Sequence, residues 1–392
     1  MSNNHRYITN SHVRIHTEFA YGKGLYLYEN DGTKYLDFMS GIGVNSLGHC
    51  HKSMVEIIHK QSQKLWHISN LFYSSSMDEC AKTLCNATNM EKVFFTNSGS
   101  EAVETAIKMA RKFFHDQGQN KYEIITMKNS FHGRSIANIS ASGAYTKGFY
   151  PLLEGFTQVE YGNVEALEGA ISNKTAGILL EPIQGEGGLN FAGLQYLQEV
   201  SRIAIKYGIL LLTDEVQCGA SRTGKFLASQ WAEVTPDIVA MAKGIGGGFP
   251  VGATLFAKNT SNVLTVGSHG TTFGGNPLAM AVTNAVCTEL LSPLFIQNIN
   301  KQAEYLCNEL QALQVEYPEI IKEICGFGLM VGFVLDDKFT ARDISSRFFA
   351  NNLITAPAQR NVIRLLPPLI VEKHHIDEAI EIIRKTFNQI NN

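Results

Sequence analysis

The 392-residue sequence predicts an α/β fold, with a large, mostly parallel β-sheet domain and a smaller α+β domain. Two observations carry this prediction. In the middle of the chain, short apolar runs alternate with longer segments of helical periodicity. This alternation is typical of a parallel sheet covered by helices on both faces. The two ends of the chain depart from it, which predicts the second, smaller domain.

Six apolar runs are predicted strands, because each is too short for a helix and rich in Ile, Val, Leu or Phe. They lie at residues 93–96, 123–127, 176–180, 209–213, 238–242 and 253–257. Two longer segments, 101–113 and 194–207, are predicted amphipathic helices. In the first of them the apolar positions that share one face are Ala102, Val103, Ala106, Ile107 and Ala110.

The ends of the chain show different patterns. Residues 21–37 predict a hairpin, since Asp31-Gly32 separates segments of alternating apolar residues. From about Cys287, a long helical pattern precedes a predicted strand at 326–335 and then further helices. The predicted division is residues 1–45 packing with the small domain, residues 46–285 as the large domain and residues 286–392 as the small C-terminal domain.

The composition excludes several classes of protein. Lys and Arg number 33 against 36 Asp and Glu, a net charge of −3, so neither a nucleic acid nor a membrane surface is an expected partner. No apolar run is long enough to span a bilayer, and the first residues lack the apolar stretch of a signal peptide. The seven cysteines are odd in number and form no C-x-x-C pair, which predicts reduced thiols, a cytoplasmic protein and no metal site.

Residues with chemical function follow five of the predicted strands. Because ligands bind beyond the carboxyl ends of strands in open α/β sheets, these segments are expected to converge on one site. The segments are Asn97-Ser98-Gly99-Ser100-Glu101, Phe131-His132-Gly133-Arg134, Glu181-Pro182 with Gly185-Glu186-Gly187-Gly188, Asp214-Glu215-Val216-Gln217, and Lys243-Gly244.

The turn around Gly99 links a predicted strand to a predicted helix. Gly99 permits a positive φ, and Ser98 with Glu101 matches a capping box. The free N–H groups and the positive dipole end of such a helix suit a phosphate. The segment is equally compatible with an ordinary capped helix, and it matches neither the dinucleotide fingerprint nor the P-loop motif.

Lys243 and Asp214 together make the chemistry more specific. A lysine amine whose pKa is lowered by burial can form an imine with a carbonyl group. A buried carboxylate such as Asp214 needs a cationic partner, and a pyridinium nitrogen is one. A lysine, an aspartate and a phosphate cradle are the requirements of pyridoxal 5'-phosphate. Phe131 and Val216 are then the candidates that cover the two faces of its ring.

The sequence resembles the class III, pyridoxal phosphate-dependent aminotransferases over nearly its whole length. The motifs that carry the resemblance are YLDFMSGIGVNSLGHCH, ISNLFYS, FFTNSGSEAVETAIKMAR, FHGR, EPIQGEGG, LLTDEVQCGASRTGKF, MAKGIGGGFPVGA, SHGTTFGGNPLA and NVIRLLPPL. The resemblance implies the fold of type I pyridoxal phosphate enzymes. It is strongest to members that transfer the terminal amine of N2-acetylornithine to 2-oxoglutarate, in arginine biosynthesis.

The resemblance also implies roles for residues around the cofactor. Lys243 is expected to bind the cofactor covalently and to act in catalysis. Asp214 is expected to pair with the pyridine nitrogen, and Gln217 to hydrogen-bond the phenolic oxygen. Gly99 and Ser100 are expected to hold the phosphate.

Five further residues are implied at the substrate side and at a subunit boundary. Thr272 is expected to reach the phosphate bound to the other subunit, which implies a homodimer with shared active sites. Arg364 is expected to bind the α-carboxylate of 2-oxoglutarate, with Glu186 pairing it when that substrate is absent. Arg134 is expected to bind the carboxylate of acetylornithine, with Thr271 nearby. Taken without the resemblance, Glu186 and Arg364 are also compatible with a structural ion pair.

Several other functions stay open from the sequence. The amine donor could be ornithine, succinylornithine, succinyldiaminopimelate or 4-aminobutyrate. A pyridoxal phosphate-dependent aminomutase or racemase would use the same fold without 2-oxoglutarate. A binding protein without activity is disfavoured, because every residue that the chemistry requires is present. A nicotinamide-dependent enzyme is disfavoured by the absence of G-x-G-x-x-G after the first strand of the predicted sheet.

Overall fold

The computed structural model describes residues 7–391 and contains three β-sheets. The strands are β1 (Phe19–Lys23), β2 (Tyr26–Glu29), β3 (Lys34–Asp37), β4 (Lys92–Thr96), β5 (Glu123–Met127), β6 (Phe156–Val159), β7 (Thr175–Leu180), β8 (Leu210–Asp214), β9 (Ile238–Ala242), β10 (Gly252–Phe256), β11 (Ile321–Phe327), β12 (Met330–Leu335), β13 (Leu353–Ile354), β14 (Ala356–Ala358) and β15 (Val362–Leu365). The helices are α1, a single turn (Ser40–Gly43), α2 (Lys52–Ser62), α3 (Ser75–Thr88), α4 (Gly99–His115), α5 (Ile136–Ser142), α6 (Val164–Gly169), α7 (Leu194–Tyr207), α8 (Pro277–Leu290), α9 (Pro293–Glu316), α10 (Ala341–Ala350) and α11 (Lys373–Asn391).

The largest sheet has seven strands in the order β4-β10-β9-β8-β7-β5-β6. The pairs from β9 to β6 are parallel, and β10 runs antiparallel to both of its neighbours. The predicted α/β class with a large, mostly parallel sheet is confirmed. All six predicted strands are present, each within one residue of the expected bounds.

Strand β6 was not predicted from the sequence. Its four residues, Phe156–Val159, include polar Thr157 and Gln158, and it lies at the edge of the sheet with only Val159 buried. A short edge strand that faces solvent carries no continuous apolar run. The pattern used to predict buried strands therefore does not detect it.

Helices pack on both faces of this sheet, and each strand contributes alternate side chains to the two layers. On one face, the predicted apolar side of α4 packs with Leu179, Leu210 and Leu212. On the other face, α7 packs with Ile178, Leu180 and Leu211. The five apolar positions predicted for the buried side of α4 are all at most 1% exposed, which confirms that helix face. This two-sided burial keeps the strand ends fixed, and functional loops start from them.

The two smaller sheets have the orders β1-β2-β3-β13 and β11-β12-β15-β14. The predicted hairpin is confirmed, since β2 and β3 pair antiparallel around Asp31-Gly32, and β1 extends it by a third strand. Strand β13 comes from the C-terminal part of the chain and pairs in parallel with β3. The first of these sheets therefore joins both ends of the chain, while the proposed domain boundaries stay a prediction.

The predicted single strand at 326–335 is wrong. The structure has two antiparallel strands there, β11 and β12, which reverse direction between Phe327 and Met330. Gly326 and Gly328 have φ values of +97° and +67°, which residues with a side chain rarely adopt. These two glycines are a turn signal next to an apolar run. The prediction of a single strand followed from the apolar run and did not include the turn. The short strands β13, β14 and β15 were also not expected among the C-terminal helices.

Among residues 7–391, no single helix combines the length and the apolar composition needed to cross a membrane. Helices α8 and α9 meet that criterion only when they are taken together, and they meet at a bend of 65°. Both contribute buried side chains, including Met280, Val286 and Leu306, to the main apolar cluster of the protein.

Candidate active site

A cavity of about 410 Å³ lies at the carboxyl ends of strands β4, β8 and β9. Its walls come from the loops that follow β4, β5, β8 and β9, together with residues 248–251 and Val44. Four of the five segments expected to converge therefore meet in one place. The fifth, the glycine-rich loop after β7, lies behind the wall and supports it through Glu181.

The loop after β4 presents the N-terminus of helix α4 to the cavity. Ser98 is the N-cap, and its Oγ accepts the N–H of Glu101 at 3.2 Å. The predicted capping box is only half present, because Glu101 Oε2 accepts the N–H of Asn97, at 2.6 Å, in place of that of Ser98. A Cβ at Gly99 would lie 2.7 Å from Val216 Cγ1, so this position requires glycine. The N–H of Glu101 is thus capped by Ser98, whereas the N–H groups of Gly99 and Ser100 have no partner among the described residues and remain open to an anion.

Lys243 follows β9 directly and lines the floor of the cavity. Its φ is +47°, a left-handed conformation that costs a residue with a side chain about 1–2 kcal/mol. Burial, and next the positive charge of Arg364, lower the pKa of its amine below the ordinary 10.5. Its Nζ forms no hydrogen bond with the described residues. The amine is therefore unpartnered and a stronger nucleophile at neutral pH than an exposed lysine.

The lowered pKa of Lys243 predicts a pH-dependent stability for the cofactor-free protein. Between that lowered pKa and 10.5, the unfolded chain binds a proton that the folded chain does not, so the free energy of unfolding rises with pH. Lys243→Met lacks this group. We expect the wild type to gain stability relative to Lys243→Met as pH rises through this window, and the difference to become constant above 10.5.

Denaturant unfolding of both cofactor-free proteins across this pH range measures the difference. Lys258→Met serves as the control, since Lys258 is exposed and lies outside the cavity lining. A stability difference for Lys243→Met that stays the same at every pH would contradict the assignment.

Asp214 ends strand β8 at the cavity and is 3% exposed. Its Oδ1 accepts the N–H of Val216 at 3.0 Å, and its Oδ2 lies 2.8 Å from Nδ1 of His132. Since a carboxylate only accepts, His132 Nδ1 carries the hydrogen of this bond. Each carboxylate oxygen has one partner in the wall and retains acceptor capacity toward the cavity.

His132 was missed as a site residue in the sequence. It is 1% exposed, and its Nε2 has no partner among the described residues. The signal was present, because His132 lies next to Phe131 in the FHGR segment. Sequence spacing does not reveal its bond to Asp214, which is 82 positions away.

Glu181 fixes the loop that carries Phe131. Its Oε1 accepts the N–H of Phe131 at 2.8 Å, and its Oε2 accepts the N–H of Gly185 at 3.1 Å. Burial, and next the negative charge of Asp214, raise the pKa of the Glu181 carboxyl. Phe131 and Val216, the two predicted ring-facing residues, both line the cavity.

Arg364, Glu186 and Gln217 form a separate group behind the cavity lining. Arg364 Nη1 donates to Gln217 Oε1 at 2.8 Å, and it forms a salt bridge with Glu186, whose Oε1 also lies 2.8 Å away. Arg364 lies on β15 and is 1% exposed, and its Nε has no partner among the described residues. The structure therefore brings the three residues together through an Arg364–Glu186 ion pair and an Arg364–Gln217 hydrogen bond, and it leaves the N–H of Arg364 Nε without a partner among the described residues.

Arg134 lines the cavity on its exposed side. Its guanidinium lies 3.6 Å from the ring centroid of Tyr145 and 5.5 Å from that of Phe131. It forms no salt bridge with any residue in the described part of the chain. Tyr145, which the sequence did not single out, holds this free cation by a cation–π contact.

The predicted residues Thr271 and Thr272 do not line the cavity of this chain. Thr271 Oγ1 accepts from Asn97 Nδ2 and from the N–H of Gly274, both at 3.2 Å. Thr272 is exposed. The expectation that Thr272 serves the site of another subunit stays a prediction.

The residues of the site lack the arrangement of a metal centre. Within residues 7–391, no three His, Cys, Asp or Glu side chains lie close enough together to bind a metal ion. The site combines an unpartnered lysine, a buried carboxylate, an open helix N-terminus and two arginines.

A model of the class III aminotransferase family matches residues 7–387 of this sequence. The chain belongs to this family. An acetylornithine aminotransferase from Agrobacterium fabrum is 45% identical over 371 residues, which cover 94% of this chain and 92% of the relative. One from Methanocaldococcus jannaschii is 42% identical, covering 96% of this chain and 95% of the relative.

Solved structures agree with this assignment. The ornithine aminotransferase of Toxoplasma gondii superposes with a TM-score of 0.94 at 29% identity, over 98% of this chain and 93% of its own. The N-acetylornithine aminotransferase of Stenotrophomonas maltophilia superposes with a TM-score of 0.85 at 33% identity, over 96% of each chain.

Class III aminotransferases depend on pyridoxal phosphate, and the residues of this chain fit that cofactor. Lys243 offers an unpartnered amine, and Asp214, at the end of the neighbouring strand β8, offers free acceptor capacity. The N-terminus of α4 offers open N–H groups for a phosphate. The cavity volume of about 410 Å³ lies within the range of cofactor sites.

Proposed function

We propose that this class III aminotransferase transfers the terminal amine of N2-acetylornithine to 2-oxoglutarate, a reaction of arginine biosynthesis. The products are N-acetylglutamate 5-semialdehyde and glutamate. The observation that carries the proposal is the pair of arginines at the site. Arg364 is buried and paired with Glu186, whereas Arg134 is exposed and unpaired at the cavity. The relatives named acetylornithine aminotransferase support it over nearly the whole chain.

Five residues would hold the cofactor at its reactive and polar groups. Gly99 and Ser100 would bind the phosphate through the start of α4, and Asp214 would pair with the ring nitrogen. Gln217 would bond the phenolic oxygen, and Lys243 would bind the aldehyde carbon. When bound, pyridoxal phosphate supplies an aldehyde that condenses with amines and a ring that withdraws electrons from the substrate.

The residues of this chain orient the reaction and move its protons. Lys243 Nζ would take a proton from the substrate carbon that bears the amine and would deliver it to the former aldehyde carbon of the cofactor. Asp214 would face the ring nitrogen, and His132 donates to its carboxylate at 2.8 Å. Phe131 and Val216, which both line the cavity, would exclude water from the two faces of the ring.

An aminotransferase of this kind must bind two unlike substrates in turn. The acetylornithine end that reacts carries an amine and no carboxylate, so an unpaired arginine beside it would be unfavourable. Glu186 neutralises Arg364 in the present arrangement, with N and O 2.8 Å apart. For 2-oxoglutarate, Glu186 would move away, and the fork of Arg364 would bind the carboxylate next to the keto group. The carboxylate at the far end of acetylornithine would bind Arg134.

We expect substitutions of the two arginines to impair different half-reactions. Arg364→Ala is expected to weaken kcat/KM for 2-oxoglutarate by about 10²–10³-fold, because a charge-assisted bidentate pair is lost. Arg134→Ala is expected to act mainly on kcat/KM for acetylornithine, by about tenfold, since its exposed cation is screened by water. Single-turnover rates of each half-reaction measure the two effects separately. Equal losses in both half-reactions for both variants would contradict the assignment.

An absorbance experiment tests the proposed function directly. The purified protein with pyridoxal phosphate is expected to absorb in the visible range, and N2-acetylornithine alone is expected to bleach that band. Addition of 2-oxoglutarate is expected to restore it. A protein that binds pyridoxal phosphate but does not respond to acetylornithine would retain the cofactor assignment and reject this donor.

Ornithine is the second candidate donor, because solved neighbours with TM-scores of 0.94 and 0.88 are named ornithine aminotransferases. Ornithine differs from acetylornithine by a charged α-amine beside the distant carboxylate. The exposed guanidinium of Arg134 would lie close to that amine, which favours the acetylated donor. The same experiment with ornithine in place of acetylornithine separates the two.

We also propose a homodimer with shared active sites. Apolar side chains that are more than half exposed cluster in residues 66–73 and recur at Val266 and Phe273, on either side of Thr271 and Thr272. Asn70 connects these two segments, since its Nδ2 donates to the carbonyl oxygens of Thr271 and Gly274 at 2.9 and 3.1 Å. A second copy that covers this surface would bury it and bring Thr272 to the neighbouring cavity.

A further inference from the structure

Asn138 lies behind the phosphate end of the proposed cofactor site. It belongs to α5, is 0% exposed and does not line the cavity. Its side-chain amide donates two hydrogen bonds, and both go to Ser100. Asn138 Nδ2 donates to the carbonyl oxygen of Ser100 at 2.9 Å and to the hydroxyl Oγ of Ser100 at 2.7 Å.

The Ser100 hydroxyl has a second donor. The backbone N–H of Arg134 donates to Ser100 Oγ at 3.3 Å. A serine hydroxyl has two acceptor positions and one hydrogen. Asn138 Nδ2 and the N–H of Arg134 therefore occupy both acceptor positions of the Ser100 hydroxyl. The hydrogen of Ser100 has no acceptor among the described residues, and Ser100 lines the cavity. The hydroxyl can therefore act toward a ligand only as a donor.

Gly133 makes the contact between Asn138 and Ser100 possible. Its φ is +117°, and a Cβ at this position would lie 2.4 Å from Asn138 Nδ2 and 2.5 Å from Ser100 Oγ. Any side chain at Gly133 would displace one of the two groups. The loop after β5 thus supplies both the second donor to Ser100 and the space for the first.

The cost of burying Asn138 indicates that its donors matter. Its Oδ1 has no hydrogen-bond partner among the described residues, although the residue is fully buried. An unpartnered buried carbonyl is unfavourable. An apolar side chain of similar size would fill the same space between α4 and α5 without that cost. The amide group is therefore present for its two N–H donors.

We propose that Asn138 is a positioning residue that turns the Ser100 hydroxyl into a dedicated donor for the cofactor phosphate. This inference rests on the proposed pyridoxal phosphate site. Asn138 does not touch the ligand, and it acts by occupying the acceptor position that the Ser100 hydroxyl would otherwise present. With that position filled, the hydroxyl hydrogen adds to the open N–H groups at the start of α4.

The test compares pyridoxal phosphate with pyridoxal, which lacks the phosphate. Dissociation constants of both are measured by absorbance for the cofactor-free wild type, Asn138→Ala, Ser100→Ala and the double variant. We expect Asn138→Ala to weaken pyridoxal phosphate binding by about tenfold, the value of one hydrogen bond to a charged group. Pyridoxal binding is expected to stay unchanged. The double variant is expected to match Ser100→Ala, since Asn138 acts through that hydroxyl.

Asn138→Asp is a second variant of the same shape. A carboxylate there accepts the Ser100 hydrogen and adds a negative charge near the phosphate, so it should weaken pyridoxal phosphate binding more than Asn138→Ala does. It also keeps the test available if Asn138→Ala does not fold. Ser140→Ala is the matched control, because Ser140 lies on the same helix and bonds to Ile136 and Leu153.

Two results would overturn the inference. The first is equal weakening of pyridoxal phosphate and pyridoxal, which indicates a structural role in joining α5 to α4. The second is an additive loss in the double variant, which shows that Asn138 acts independently of the Ser100 hydroxyl. A wild type that binds no pyridoxal phosphate would instead reject the proposed function.

Discussion

Lys243→Ala is expected to lower turnover by at least about 10³-fold while the protein stays folded. The variant removes the amine that would bind the cofactor and the group that would move the proton. Folding is expected to survive, because the Lys243 side chain makes no hydrogen bond with the described residues and its amine is costly to bury. Alanine keeps the backbone atoms of the left-handed turn at φ +47°.

Steady-state turnover with acetylornithine and 2-oxoglutarate measures this effect, and circular dichroism verifies the fold. Lys258→Ala is the matched control, since it removes an exposed lysine away from the cavity. The control is expected to turn over at the wild-type rate. A Lys243→Ala protein that retains more than a few per cent of turnover would reject the central role of this lysine.

Asp214→Asn is expected to give the second largest loss, about 10²–10⁴-fold in turnover. The substitution keeps the shape of the side chain and removes the charge that would face the ring nitrogen. Loss of one partner from a buried ion pair costs about 3–5 kcal/mol, which corresponds to this range. His132 would also lose the carboxylate to which it donates at 2.8 Å.

Turnover and the dissociation constant of pyridoxal phosphate are both measured for this variant. Asp237→Asn is the control, because Asp237 is a half-buried carboxylate that accepts the N–H of Leu211 at 2.8 Å just before β9, at the amino ends of the strands and away from the cavity. The control is expected to lose stability and to keep its turnover per folded molecule. Turnover of Asp214→Asn equal to that of this control would contradict a role for the charge.

Much of the candidate site could be predicted because its parts are local. The strands were predicted from apolar runs, and the residues that follow them include Lys243, Asp214 and Gly99. The direction of a parallel strand fixes which end carries those residues, so their meeting in one cavity follows from the fold class. The prediction was weaker where a local pattern had two solutions, as at 326–335, where two strands and a turn replaced one strand.

Local sequence patterns could not predict the contacts between segments that are distant along the chain. Asn138 and Ser100 are 38 positions apart. Tyr145 contacts Arg134 from a segment that has neither helical nor strand periodicity. Each contact depends on how α5 and its flanking loops pack on α4. Sequence periodicity gives the face of a helix, but it does not give the distance between two side chains on different elements.

The sequence by itself determined the fold class and the six buried strands of the central sheet, and it indicated the candidate site residues, because these depend on the spacing of apolar, glycine and charged positions along the chain. The tertiary structure decided which of those residues are partners. Arg364 reaches Gln217 across 147 positions, and the central sheet orders its strands differently from the chain. Hydrogen bonds and ion pairs depend on separations of about 3 Å, which only the packing of sheets and helices in three dimensions sets.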